Sequence, residues 1–246
     1  MPLERLDKIL ASQNVGSRKQ VGERIRRGEV AVNGTVTRRP EQKVDAEKDR
    51  ISVNGNPVYF RRFLYLMMNK PAGVLSASRD AHARTVLDLL PPEWKRRGLF
   101  PAGRLDRDTT GLLIITDDGD YAHRMLAPKS HVWKRYHALL DRPIEPEDIE
   151  RFRKGVVLPE FTCLPAELAV LSRNGAENRG CLAEVKIREG KFHQVKKMFA
   201  ACGKTVLQLK RVAVGGLSLD SRLAEGEIRV LSETERNAVF VQGNLY

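Results

Sequence analysis

Gly103-Arg104-Leu105-Asp106-Arg107-Asp108-Thr109-Thr110-Gly111-Leu112-Leu113 sets a carboxylate in a loop directly ahead of an apolar strand. Asp and Gly are poor strand formers, so the expected strand runs from Leu112 to Thr116 and closes on a turn at Asp117-Asp118-Gly119. Asp106 is left in the loop that this strand holds. Upstream, Phe63 to Met68 is an apolar segment behind Arg61-Arg62, and Asn69-Lys70-Pro71-Ala72-Gly73 reads as a turn, because proline fixes its own φ and glycine accepts positive φ. Downstream, Tyr121 to Leu126 has the pattern of a helix and Lys134 to Leu140 that of a strand beginning with bases. Ala183, Val185 and Ile187 alternate with Glu184, Lys186 and Arg188 in a half-buried strand that ends at Glu189-Gly190. His193 to Phe199 opens a helix with Val195, Met198, Phe199 and Cys202 on one face and Gly203 as its stop. Ser232-Glu233-Thr234-Glu235 has the capping-box form of a short closing helix. Strands and helices that alternate irregularly predict an α+β fold with a mixed, mostly antiparallel sheet.

The chain has 246 residues, with 43 Lys and Arg against 31 Asp and Glu and a formal charge of +12. That length supports one or two domains, and that charge points to a polyanionic partner, nucleic acid first. No basic amphipathic helix with large aromatics, no lipidation signal and no long apolar run is present, so no membrane partner is expected. Met1-Pro2-Leu3-Glu4-Arg5 opens without a signal-peptide apolar region, which predicts a cytoplasmic protein. Cys163, Cys181 and Cys202 are odd in number and widely spaced. They fit neither a disulfide framework nor a zinc site and read as buried small hydrophobes. The histidines pair with no other His or Cys at metal-ligand spacing, so no metal is expected.

Residues 1–60 read as a separate module, with residues 61–246 as the second domain. Leu6, Ile9 and Leu10 share one face of a short helix, and Ser17-Arg18-Lys19-Gln20 is a capping box opening a second that carries Arg18, Lys19, Arg24, Arg26 and Arg27 and stops at Gly28. Asn33-Gly34 and Asn54-Gly55 mark hairpins. A lone basic helix is more often a solvated face than a binding face. Here Arg5-Leu6-Asp7-Lys8-Ile9-Leu10, Ser17-Arg18 and Gly28-Glu29-Val30-x-Val32-Asn33-Gly34 together resemble the S4-like RNA-binding domain. The resemblance implies a docking device that grips structured RNA through backbone and shape, with Arg5, Lys8, Arg18, Lys19, Arg26 and Arg27 as its RNA contacts.

Two further features in the second domain bear on chemistry. Tyr136 sits on a strand, where tyrosine is usually core or sheet surface, but beside Lys134 and Arg135 it could stack on an unpaired base. Lys186, Arg188, Lys191, His193, Lys196 and Lys197 crowd one turn and read as RNA backbone contacts. A cation among them placed beside an active carboxylate would favour its ionised form.

Asn69-Lys70-Pro71-x-Gly73, the Gly103–Leu113 run, Lys134-x-Tyr136, Glu189-Gly190-Lys191-x-His193-Gln194-Val195-Lys196 and Gly215-Gly216-Leu217-x-Leu219, in this order behind an S4-like module, closely resemble the rRNA pseudouridine synthases. The resemblance spans nearly the whole chain and lies within the branch that contains the small-subunit enzyme and its large-subunit relatives. It implies that Asp106 is the essential aspartate, Tyr136 the active-site tyrosine, Lys196 the basic residue set against the aspartate, and Ile187 the aliphatic wall. It implies RNA contacts at Arg104, Arg107, Lys134, Lys191 and His193, with Arg107 helping to hold RNA from which a base has been flipped out.

The implied reaction breaks the N1 glycosidic bond of a uridine, turns the uracil and rejoins it through C5, with no change of redox state and no cofactor. Asp106 either attacks C1′ or removes a ribose proton, and the sequence does not choose between them. The implied partner is ribosomal RNA or a ribosome-assembly intermediate, met by a monomer. The segment His193 to Phe199 is more similar to the small-subunit (16S) enzyme than to the large-subunit (23S) ones. Two other readings share the charge and the module. A non-catalytic ribosome-assembly factor would not need Asp106, Tyr136 and Lys196 together, and a carboxylate-dependent N-glycosidase would release free base.

Overall fold

The structure is a computed structural model that describes residues 3–92, 94, 98–173 and 180–241. Met1 and Pro2 of the opening pentapeptide lie outside the described residues. The chain forms two compact units, Met1–Phe63 with Pro91–Gly98, and Leu64–Leu90 with Leu99–Tyr246. Among the described residues no helix is long and apolar enough to cross a membrane.

In the first unit the helices Leu6–Ser12 and Arg18–Arg26 precede a four-stranded antiparallel sheet ordered Thr35–Thr37, Val30–Val32, Ile51–Val53, Asn56–Val58. The second helix starts where the sequence supplies its cap: the Ser17 hydroxyl accepts from the Gln20 amide and the Gln20 side chain accepts from the Ser17 amide. Both hairpins turn on Asn-Gly pairs with positive φ at both residues, the geometry that matches strand twist. Leu6, Leu10, Val21 and Ile25 are fully buried against Val30, Ile51 and Val53. Each such side chain contributes about 1.5–3 kcal/mol of burial, which a module this small needs.

The second unit is built on one sheet, nine-stranded among the described residues. Its main order is Glu167–Arg173, Cys181–Ile187, Lys134–Leu140, Val206–Val214, Thr110–Thr116, Tyr65–Lys70, Ile228–Val230, with Leu217–Ser218 on Val206–Val214 and Phe100–Ala102 on Thr110–Thr116. The pairings are antiparallel except that of Val206–Val214 with Thr110–Thr116, so the sheet is mixed and mostly antiparallel. At the parallel pair Arg211 faces Gly111. A Cβ at Gly111 would lie 2.2 Å from the Arg211 carbonyl oxygen, and φ there is +101°. Only glycine lets these two backbones meet. The Arg211 Nε, buried in the same crossing, donates to the Leu112 carbonyl at 2.8 Å.

Two boundaries differ from the sequence reading. Asn69 and Lys70 are the last residues of the strand Tyr65–Lys70 rather than the start of a turn, and all six of its residues are buried. The strand after Asp106 begins at Thr110, two residues early, because Thr110 and Gly111 pair with Lys210 and Arg211. Of the cysteines, Cys163 and Cys181 are buried, whereas Cys202 is half-buried at a helix end and departs from the expectation.

Candidate active site

Asp106 occupies a short loop whose backbone is fixed from several directions within the second unit. The Lys70 ammonium, fully buried, donates to the carbonyls of Asp106 at 3.1 Å, Arg107 at 3.2 Å, Thr109 at 3.0 Å and Pro71 at 3.0 Å. Burial pushes its pKa down to about 8. The Ser76 hydroxyl donates to the Leu105 carbonyl and accepts from the Leu105 amide, at 2.9 and 3.1 Å. Gly73 and Arg107 clasp one another: the Gly73 amide donates to the Arg107 carbonyl at 2.8 Å and the Arg107 Nε to the Gly73 carbonyl at 3.1 Å. The Thr109 amide closes the turn on the Asp106 carbonyl at 3.1 Å. A loop so held presents its carboxylate in one place, which is what a reacting group requires.

The Asp106 carboxylate, one quarter exposed, meets a lysine and a histidine. Lys196 Nζ lies 3.5 Å from Oδ2 and His193 Nε2 lies 3.6 Å from Oδ1. Lys196 stands on the helix Gln194–Ala201, whose first turn is set by Gln194: its side chain accepts from the Lys191 amide at 3.0 Å and donates to Glu189 at 2.8 Å. His193 precedes the helix with φ +54°. A left-handed backbone at a non-glycine residue is uncommon and costs energy, and here it aims the imidazole at the carboxylate. Tyr136 and Ile187, nearly buried, line the same cavity as Asp106, with Thr109 and Leu209. Strand pleating explains their company, because Tyr136 pairs with Val185, two residues before Ile187. Residues from four separate segments thus converge on one carboxylate.

Lys196 is shared. It makes its shorter contact, 2.5 Å, with Asp108, and that bond holds the Asp108 carboxyl below its ordinary range.

The expected RNA contacts divide. Lys134 is corrected: it is 9% exposed, because its side chain shares the inward face with Tyr136, Ala138 and Leu140, and burial pushes its pKa down to about 8. It is no surface contact. Lys191 pairs with Glu189 at 3.3 Å and lies 3.7 Å from the Phe161 ring centroid. Lys186 pairs with Glu167 at 2.8 Å and Lys197 with Glu160 at 2.7 Å. Five of the six basic or imidazole side chains of this turn, counting Lys196 and His193, therefore face carboxylates of their own unit. Arg104 and Arg107 are exposed beside Asp106.

The same holds in the first unit. Arg5 and Arg18 both pair with the buried Asp7, Lys8 with Glu4, and Arg27 with Glu29. Lys19 and Arg26 are exposed and have no carboxylate ion pair among the described residues. Solvent-exposed pairs such as Lys8–Glu4 are worth about 0–1 kcal/mol and yield readily to a phosphate.

Sequence reasoning missed Lys70 and Ser76. The signal for Lys70 was a lysine closing a strand whose residues are otherwise apolar but for Asn69, Tyr-Leu-Met-Met-Asn-Lys, since a cation so placed has no water and must find carbonyls.

Comparison with known proteins follows this geometry. Residues 64–201 match the RNA pseudouridylate synthase family and residues 4–51 match the S4 domain. The chain is 46% identical over 232 residues to an uncharacterized RNA pseudouridine synthase of Bacillus subtilis, with 94% of this chain and 96% of that one covered. It is 41% identical over 236 residues to the ribosomal small subunit pseudouridine synthase A of Escherichia coli, with 94% and 97% covered. A crystal structure of a pseudouridylate synthase superposes with a TM-score of 0.66 at 33% identity, covering 96% of this chain and 99% of that one. The chain belongs to the RNA pseudouridine synthases, enzymes that isomerise uridine in RNA, and carries an S4 domain ahead of the catalytic fold.

Proposed function

We propose that this enzyme converts one uridine of small-subunit ribosomal RNA to pseudouridine, with Asp106 as its catalytic carboxylate. The observation that carries the reading is Asp106 on an immobilised loop, with Lys196 Nζ and His193 Nε2 at 3.5 and 3.6 Å from its two oxygens, at a cavity lined by Tyr136 and Ile187.

The chemistry asks little of the protein and asks it in one place. Asp106 acts as nucleophile at C1′ or as base toward the ribose, and both routes need an ionised, oriented carboxylate. Lys196 supplies the opposing charge. The uracil freed from N1 must remain trapped while it turns, and the half-closed cavity with Tyr136 as a ring to stack on and Ile187 as an apolar wall serves that purpose. No group in this sequence of steps is oxidised or reduced. The target nucleotide leaves its stack to reach Asp106, at a cost of a few kcal/mol if it is paired. Exposed Arg104 and Arg107, and on the S4 domain Lys19 and Arg26, offset that cost through contacts to phosphate. The enzyme acts as a monomer on ribosomal RNA or an assembly intermediate.

Small-subunit RNA is preferred because the relative named a ribosomal small subunit pseudouridine synthase is 41% identical along 94% of this chain. Mapping pseudouridines in ribosomal RNA from cells with and without the gene tests this. One small-subunit site is expected to disappear and to return when the enzyme is added to deproteinised RNA or an assembly intermediate, without release of uracil. Loss of a large-subunit site would overturn the target, and release of uracil would overturn the isomerase chemistry.

A further inference from the structure

Phe192 stands 72% exposed in the turn that delivers His193 and Lys196. Single exposed apolar side chains are ordinary, but this ring is stacked on a neighbour. It lies nearly parallel on the His193 imidazole, with centroids 3.8 Å apart and planes 18° apart. The left-handed backbone at His193, φ +54°, makes the stack and also brings His193 Nε2 to 3.6 Å from Asp106. Phe192, His193 and Asp106 therefore form one continuous ledge from solvent to the carboxylate.

One cation borders it, and the neighbouring bases of the segment lie over other rings. Lys197 Nζ is 5.8 Å from the Phe192 centroid, Lys191 Nζ is 3.7 Å from that of Phe161, and the Arg188 guanidinium is 4.3 Å from that of Trp133. Phe161 and Trp133 are partly covered and hold their cations at 3.7 and 4.3 Å, whereas Phe192, 72% exposed, has one face on His193 and its cation, Lys197, farther off at 5.8 Å. An exposed aromatic ring with a lysine beside it is the combination that takes an unpaired nucleobase: the base stacks on the ring and its phosphate meets the cation.

We propose that Phe192 is a stacking platform for an unpaired base next to the target uridine, and so a positioning residue that selects the RNA context presented to Asp106. This rests on the catalytic reading of Asp106 given above. Stacked on Phe192, the neighbouring base extends the Phe192–His193 pile and leaves the uridine beyond it beside the carboxylate. Recognition is by π face, so the neighbour's identity matters less than its being unpaired.

The test uses full-length enzyme and a synthetic RNA stem-loop spanning the mapped uridine. Phe192→Ala and Phe192→Leu are expected to raise KM about tenfold with kcat nearly unchanged, and Phe192→Tyr to restore wild-type KM. An abasic nucleotide on one side of the uridine is expected to raise KM for the wild type to the Phe192→Ala value while adding nothing to Phe192→Ala itself. Wild-type KM in Phe192→Ala, or abasic and Phe192→Ala penalties that simply multiply, would overturn the platform while leaving the function standing. A wild-type enzyme that forms no pseudouridine in any ribosomal RNA would overturn both.

Discussion

Lys70 and Lys196 reach the same loop from a strand end and from a helix, and they hold different parts of it. Lys70, fully buried, donates to four backbone carbonyls around Asp106 and touches no carboxylate among its hydrogen-bond partners. Lys196, one quarter exposed, touches the carboxylates of Asp106 and Asp108. One lysine fixes where the proposed catalytic carboxylate is, and the other sets a positive charge beside it. Position is a matter of folding and charge a matter of rate, so the two should separate under mutation.

The largest effect is expected at Lys70. Lys70→Met fills the volume but removes the Lys70 donor from four carbonyls, of which those of Asp106 and Arg107 keep the Thr109 and Gly73 amides while the buried Thr109 carbonyl loses its side-chain donor, at about 1–3 kcal/mol for an unsatisfied buried group. Unfolding of the catalytic unit, followed by calorimetry, should show a loss of about 1–3 kcal/mol, together with loss of activity. Lys196→Ala should do the reverse, lowering kcat about a hundredfold through lost electrostatic support while the melting temperature stays nearly unchanged. Equal destabilisation by the two variants would erase the distinction.

Titration sharpens it. Burial sets the Lys70 pKa at about 8, below its unfolded value, so the unfolded chain binds more protons between about pH 8 and 10 and this group's contribution to stability rises with pH there. Activity should move the other way, because the neutral amine has one donor fewer for the loop. An alkaline fall in kcat/KM centred near 8, without a parallel fall in stability, is expected. Parallel falls would mean plain unfolding. Lys134, also held near 8 by burial, adds to the same stability rise. Lys134→Met should reduce that rise and leave RNA affinity unchanged, as measured by denaturation across pH and by filter binding.

The smallest effect is expected at Asp108. Its bond to Lys196 is on an exposed carboxylate, 73% accessible, worth about 0–1 kcal/mol. Asp108→Asn should change kcat less than about fivefold, leaving Lys196 to Asp106 alone. A collapse of activity to the Lys196→Ala level would show that Asp108 holds Lys196 in place.

The sequence made legible whatever is local. The Asn33-Gly34 and Asn54-Gly55 hairpins, the Ser17–Gln20 capping box and the alternation through Cys181–Ile187 are short-range patterns, and the structure follows them. Ordered motifs brought Asp106, Tyr136, Ile187 and Lys196 into view; the first three line one cavity, and Lys196 lies 3.5 Å from Asp106. What escaped was set by partners far along the chain. Lys70 finds its acceptors 36 to 39 residues away as well as next door. The bases of the Lys186–Lys197 segment find carboxylates at Glu167, Glu160 and Asp108, so a count of charges overstated the free positive surface. Lys134 could have been placed correctly by period-two reading, since it shares a face with Ala138 and Leu140. The proximity of charged Arg135 in the sequence obscured that.

The central claim is that Asp106 does the chemistry and its surroundings hold it. Single-turnover conversion of deproteinised small-subunit ribosomal RNA by wild type and Asp106→Asn, with RNA affinity measured alongside, tests this most directly. The account predicts no detectable pseudouridine from Asp106→Asn, with affinity within roughly threefold of wild type. Pseudouridine formed by Asp106→Asn at a rate near that of wild type would contradict it.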